Sequence, residues 1–254
     1  MSFRKMMIGA SVALFLFYFT LLLSLLFFFG ARGFWEVFLH PSTLFSIRLS
    51  LVTATLATFL AVAAAYALSR FEFPGKHVLD TFLEIPMIIS PIALGAALLV
   101  FFNTPLGTLI QAKGIYFVFE VPGIILAQFA SVAGLATRLM KASLDEIAPR
   151  YEAVARSLGL SPWLAFCKVT LPLSLRGITA SVILSWAKAV GEFGATVTLA
   201  GAMPGKTETL PVAIFLALGS ANVERAVVLI LILAFLGLIT LYAVRMTGKR
   251  YHDD

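Results

Sequence analysis

From its amino end onward, the chain alternates long apolar stretches with short charged ones. Residues 8–29 carry no charge and follow Arg4 and Lys5; 49–69 are uncharged between Arg48 and Arg70; 85–102 are uncharged after Asp80 and Glu84. Three further runs are 121–137 between Glu120 and Arg138, 177–201 interrupted only by Lys188 and Glu192, and 226–244 between Arg225 and Arg245. A helix of about 20 apolar residues crosses the roughly 30 Å hydrocarbon layer of a bilayer and satisfies its own backbone hydrogen bonds there. The pattern predicts an all-α integral membrane protein, six transmembrane helices in a single domain over 1–254. The first run is much longer than the roughly 7–15 apolar residues of a signal-peptide core, so it is expected to stay as a helix.

Composition agrees. Hydrophobic residues make up 60% of the chain and charged residues 13%, against about a quarter charged in soluble domains, and the mean hydropathy is +0.98. The net charge of +6 would suit nucleic acid if it formed a stripe, but the basic residues are scattered through short connections, so no nucleic-acid partner is expected. Six crossings put both termini on one side. Assigning that side to the cytoplasm places most of the 19 Lys and Arg residues inside, the bias expected of a multi-pass protein of the cell membrane. The lone Cys167 excludes an internal disulfide, and His40, His77 and His252 stand too far apart in sequence for a metal motif. No metal and no catalytic residue is expected.

Two apolar runs contain unusual residues. Pro86 and Pro91 remove backbone donors from the third, which predicts a kink or break, tolerated where neighbouring helices or a cavity repair the loss; Ser90 and Gly95 share this stretch, a candidate pathway lining. In the fifth run Lys188 lies roughly 18 Å beyond Arg176 along a helix, a depth at which an unpaired charge is costly. Glu192, four residues on, is expected to share its face and neutralise it, while Gly191 and Gly194 permit close approach of a helix or ligand. The pair reads either as a structural ion pair or as a gate whose lysine suits a passing anion.

The longest interior loop, 138–176, has its own pattern. Asp145 and Pro149 suit a helix start, 150–158 is built of helix formers, and Gly159 suits an end with Ser161-Pro162 just beyond. A short helix, a sharp turn and a second helix returning to the membrane are expected. Such a projection either docks on a soluble partner or merely connects two spans.

Glu152-Ala153, Gly159 and Val169-Thr170-Leu171-Pro172 resemble the EAA signature of ABC importer permeases; Val154 departs from the usual alanine, a change expected to alter packing. The resemblance implies a type I ABC importer permease fold in which this loop is the coupling helix seated in a cytoplasmic ATPase, a role falling to Glu152, Ala153, Gly159, Leu160 and Ser161. Residues 85–95 (IPMIISPIALG) and 185–196 (SWAKAVGEFGAT) are similar to the molybdate, tungstate and sulfate permeases, and 202–211 (AMPGKTETLP) to the molybdate/tungstate branch. Implied pathway or gate residues are Pro86, Ser90, Pro91, Gly95, Lys188, Gly191, Glu192, Gly194 and Thr196. Implied partners are a second copy of the chain, two ATP-binding-cassette subunits holding ATP and Mg, and an extracytoplasmic oxyanion-binding protein; this subunit itself needs no cofactor. Transport would proceed by alternating access. Sulfate import is the alternative within the class. An ATP-independent secondary transporter is the alternative outside it, but paired ionisable groups across several spans and inverted repeats are not found.

One likeness misleads. Residues 201–207 (GAMPGKT) resemble a phosphate-binding loop, yet only three residues separate the glycines where the motif has four, and a membrane span precedes them where a strand should. A polar turn leading into a short amphipathic segment at 210–218 on the outer surface is expected instead.

Overall fold

A computed structural model describes residues 3–28 and 31–249, and its regular elements are all helices. Phe29, the expected end of the first span, and the basic Arg250 lie outside the described residues. The helices are α1 (Phe3–Leu26), α2 (Ala31–Leu39), α3 (Pro41–Arg70), α4 (Lys76–Ile88), α5 (Pro91–Phe102), α6 (Pro105–Gln111), α7 (Val121–Asp145), α8 (Arg150–Ser157), α9 (Pro162–Ala165), α10 (Leu171–Val190), α11 (Gly194–Ala200), α12 (Leu210–Gly219) and α13 (Val223–Lys249), with a π turn, Phe166–Thr170, joining α9 to α10.

The core forms around α7, which packs on α3, α10, α4, α11 and α5. Small residues line these contacts, among them Ala54 and Ala61 on α3, Ala136 on α7 and Ala189 on α10. In a lipid solvent, close backbone approach of this kind replaces the hydrophobic drive that holds helices together in water. α10 and α11 run antiparallel to α7: Met140 packs with Ile178 and Val182, Val132 with Ala189 and Val190, and Ala127 with Ala195 and Leu199. In contrast, α1 has no buried residue, and an apolar cleft of about 790 Å³ separates it from α2 and α13.

Among the described residues, five helical stretches are long and apolar enough to span a membrane, and one bent pair joins them. The expected third span, 85–102, is that pair: α4 and α5 meet at 119°. Pro86 lies inside α4; the break itself falls where Ser90 is extended, its Oγ accepting from the Ala93 N–H at 3.2 Å, and Pro91 opens the next helix. α4 is pinned to the C-terminal end of α7 by Lys141–Asp80 at 2.7 Å and Arg138–Glu84 at 3.1 Å. In the loop before it, a 2.5 Å bond from Lys76 holds the Glu72 carboxyl below its ordinary range. α5 instead packs on α11, and the chain after α6 returns to the opposite end of α7, where the Phe117 N–H reaches Gln111 Oε1 at 3.2 Å. The bent pair therefore runs from one end of α7 to the other, and with it the described residues hold five spanning helices or, counting the pair as one, six.

The expected fifth span, 177–201, is also corrected. A continuous helical stretch runs from Pro162 to Val190, ends at Gly191, and only then does α11 begin. The loop expected at 138–176 is correspondingly shorter, because α7 reaches Asp145 and the stretch begun at Pro162 takes up its far side. The segment expected as amphipathic at 210–218 is α12, apolar throughout, buried over Leu210–Ala213 and at Ala217 but exposed at Phe215 and Leu218, and held by the Leu210 N–H on Ser50 Oγ at 2.7 Å. Residues 201–209 turn between helices with no preceding strand; Lys206 pairs with Glu120, and buried Glu208 accepts from Arg225 at 2.8 Å and from the Gly205 N–H at 3.1 Å.

Candidate functional site: a coupling helix and two broken spans

At the end of the bundle formed by the C-terminus of α7 and the start of the α9–α10 stretch sits α8. Its termination follows from local chemistry. Gly159 has φ +93°, the left-handed conformation in which a Cβ is penalised; its N–H donates to the Arg156 carbonyl at 3.0 Å, and that of Leu160 to the Ala155 carbonyl at 3.2 Å. This is the paired bonding of a Schellman end. Ser161 Oγ then accepts from the Leu164 N–H at 3.3 Å, and Pro162 opens the next helix. Gly159 and Ser161 thus build the turn between two helices.

The two faces of α8 differ. Ala155 is buried and Glu152 half-buried, and Thr170 Oγ1, on a side chain with no exposed surface, donates to Glu152 Oε1. On the other face Tyr151, Val154 and Leu158 are exposed, Leu158 by 80%, and beyond the turn Trp163 is exposed by 65%. Val154, where the signature has alanine, points outward; the departure changes the surface and not the interior packing. Ala153 is exposed and Leu160 half-buried.

The π turn explains the Leu-Pro end of the signature. Within a continuous helix, Pro172 has no N–H and its ring clashes with the carbonyl four residues earlier, that of Lys168. The wider turn from Phe166 to Thr170, closed by the Leu171 N–H on the Phe166 carbonyl, accommodates it, and Thr170 at the end of that turn reaches Glu152.

The second grouping lies where the two broken spans meet. Gly95 on α5 packs so closely on α11 that a Cβ would lie 2.7 Å from the Ala195 carbonyl oxygen and 2.8 Å from Thr198 Cβ; at Gly194 a Cβ would lie 2.9 Å from Pro91 Cβ. Pro91, Gly95 and Gly194 are therefore brought together, with Ser90 beside them as the exposed cap. Pro86 lies a turn away inside α4. Thr196 faces inward, fully buried, its hydroxyl without a partner, as is the side-chain amide of Gln128 on α7. Sequence reading missed Gln128, Ser131, Tyr151, Leu158 and Trp163; a glutamine inside an apolar run was the available signal for the first.

Lys188 and Glu192 do not meet. Because α10 ends at Val190, the i,i+4 geometry is lost. Glu192 is buried and its Oε1 accepts from the Ala195 N–H at 3.0 Å, starting α11, whereas Lys188 is exposed on the chain's surface beside exposed Gly191. Among the described residues Lys188 has no ion-pair partner. Its neighbours Ala189 and Val190 pack on Val132, eleven residues along α7 from its N-terminal end at Val121, roughly 16 Å along the helix.

A polytopic bundle with a short helix at one end and helices broken at mid-depth defines a class. The chain belongs to the binding-protein-dependent transport system inner membrane component family, whose model matches residues 57–253; it is a multi-pass permease subunit of an ABC importer, not an enzyme. Among its relatives are the molybdenum transport system permease protein ModB of Escherichia coli K12, 32% identical over 205 residues, covering 78% of this chain and 90% of that protein, and the sulfate transport system permease protein CysW of Synechocystis, 31% identical over 207 residues, covering 81% and 75%. A bacterial alginate ABC transporter solved with its pentasaccharide-bound periplasmic protein shares the fold at a TM-score of 0.73 and 15% identity, covering 97% of this chain and 93% of that one. The methionine transporter MetNI, facing inward, does so at 0.58 and 16%, covering 85% and 94%.

Proposed function

We propose that the chain forms a homodimer that imports molybdate or tungstate by alternating access, with α8 of each copy docked on a cytoplasmic ATP-binding subunit that holds ATP and Mg, and a binding protein delivering the anion from outside. Lys188 carries this reading. An unpaired lysine turned toward lipid at that depth costs at least about 3 kcal/mol, so its exposed position on the isolated chain favours a polar surface there, either water in a pathway or a second copy. A positive charge beside Gly191 on such a surface suits a passing oxyanion. The exposed apolar face of α8 supports the ATPase contact, since Leu158 and Trp163 lie at the end of the bundle opposite the outer loop.

The ModB likeness and the 202–211 stretch favour molybdate or tungstate; the CysW likeness, over a similar share of the chain, favours sulfate. The chain reconstituted with its ATPase and binding protein should hydrolyse ATP faster with molybdate or tungstate than with sulfate at equal concentration. Stimulation by sulfate alone makes it a sulfate importer.

A further inference from the structure

We propose that Thr170 is a positioning residue for energy coupling: its hydroxyl, held inward by the π turn, fixes α8 to α10 through Glu152, so that displacement of α8 moves α10 as one body. This rests on the reading of α8 as the ATPase contact and gives Glu152 an inward role within it.

Three observations converge on the joint. Thr170 is fully buried and donates to a carboxylate eighteen residues earlier, a charge-assisted bond stronger than a neutral one. α8 packs chiefly on α9 and on the π turn, and the chain joins it through the loop from α7 and the connection 158–161; a short connection with one residue in left-handed conformation transmits torque poorly unless a second tie spans it. The π turn lies within an otherwise continuous helical stretch, a feature that recurs at functional sites in helices. From Thr170, α10 leads without interruption to Gly191 and the break before α11, where α5 and α11 interlock. Movement of α8 thus has a rigid route to the mid-membrane breaks, with the Thr170–Glu152 bond as its first link.

The test uses the complete transporter, this chain with its ATPase and binding protein, in proteoliposomes, and reads anion imported per ATP hydrolysed. Thr170→Val keeps shape and removes the donor; Glu152→Ala removes the acceptor. Each should lower that ratio by about tenfold, the loss expected of one hydrogen bond to a charged group, and the double variant should be no worse than the poorer single, as for two halves of one interaction. Thr170→Ser, which keeps the hydroxyl, should restore the ratio to within about twofold of the unmodified protein. Should Thr170→Val fail to accumulate, Glu152→Ala with and without Thr170→Ser carries the test, the serine leaving the loss unchanged. An unmodified ratio in Thr170→Val, or strictly additive losses in the double variant, overturns the joint. Leu158→Asp separates this from the underlying reading: it should release the ATPase, and if the ATPase stays bound the docking role of α8 is itself wrong.

Discussion

At Gly159 the backbone φ of +93° leaves open space around the Cα, so a side chain is resisted by conformation and not by crowding. Left-handed geometry costs a non-glycine residue roughly 1–2 kcal/mol, more for a β-branched one. Gly159→Val should therefore insert as the parent does but bind its ATPase weakly, measured by the ATPase retained on purification; retention at the parent level contradicts the turn's role. Lys188→Met makes a different demand. Since Glu192 bonds to α11 and not to Lys188, the substitution leaves no buried charge orphaned, and the chain should assemble normally while anion uptake falls several-fold. Of these residues, Gly159 and Ser161 were legible because a helix end is written in adjacent positions. The Glu152–Thr170 bond was not, because it depends on a π turn that the sequence hints at only through Pro172, and the fate of Glu192 depended on where α10 stops.

Proline at the start of α5 announces one break, and the sequence reading found it. The break after Val190 was less visible: Gly191 sits between Lys188 and Glu192 in a run with no proline, the two charges suggest an i,i+4 pair on an unbroken helix, and a single glycine weakens a helix by only about 1 kcal/mol. The stretch 162–176 was expected as a helix returning to the membrane but left outside the fifth span, since Lys168 and Arg176 interrupt it, yet charges near the end of a span are tolerated where they reach the interface. The two breaks interlock through Gly95 and Gly194, and overpacking there should be costly. Gly95→Val pushes a side chain onto the Ala195 carbonyl and is expected to destabilise the bundle by about 1–3 kcal/mol, lowering the melting temperature in detergent. Gly219→Ala, where a Cβ meets nothing within 4 Å, serves as the control and should leave it unchanged.

At the scale of the whole molecule, the six crossings place α8 at one end and the Lys206–Glu120 and Arg225–Glu208 pairs at the other. If the basic bias sets orientation, cysteines introduced at Ser157 and Ser220, both exposed, in a Cys167→Ser background should react with an impermeant thiol reagent from opposite sides, Ser220→Cys from outside intact cells. Labelling of both from outside reverses or breaks the topology. The membrane class and five of the spans were legible from apolar run lengths alone, because the bilayer imposes one length on every span. How the spans pack was not, because small residues and lipid-facing residues differ little in hydropathy. The most direct measurement is uptake of labelled molybdate into vesicles carrying this chain, its ATPase and lumenally enclosed ATP, arranged so that the binding protein reaches the outer face. The account predicts uptake that needs all three proteins and stops when ATP is replaced by a non-hydrolysable analogue; uptake at the same rate by this chain alone, without ATPase or ATP, would contradict it.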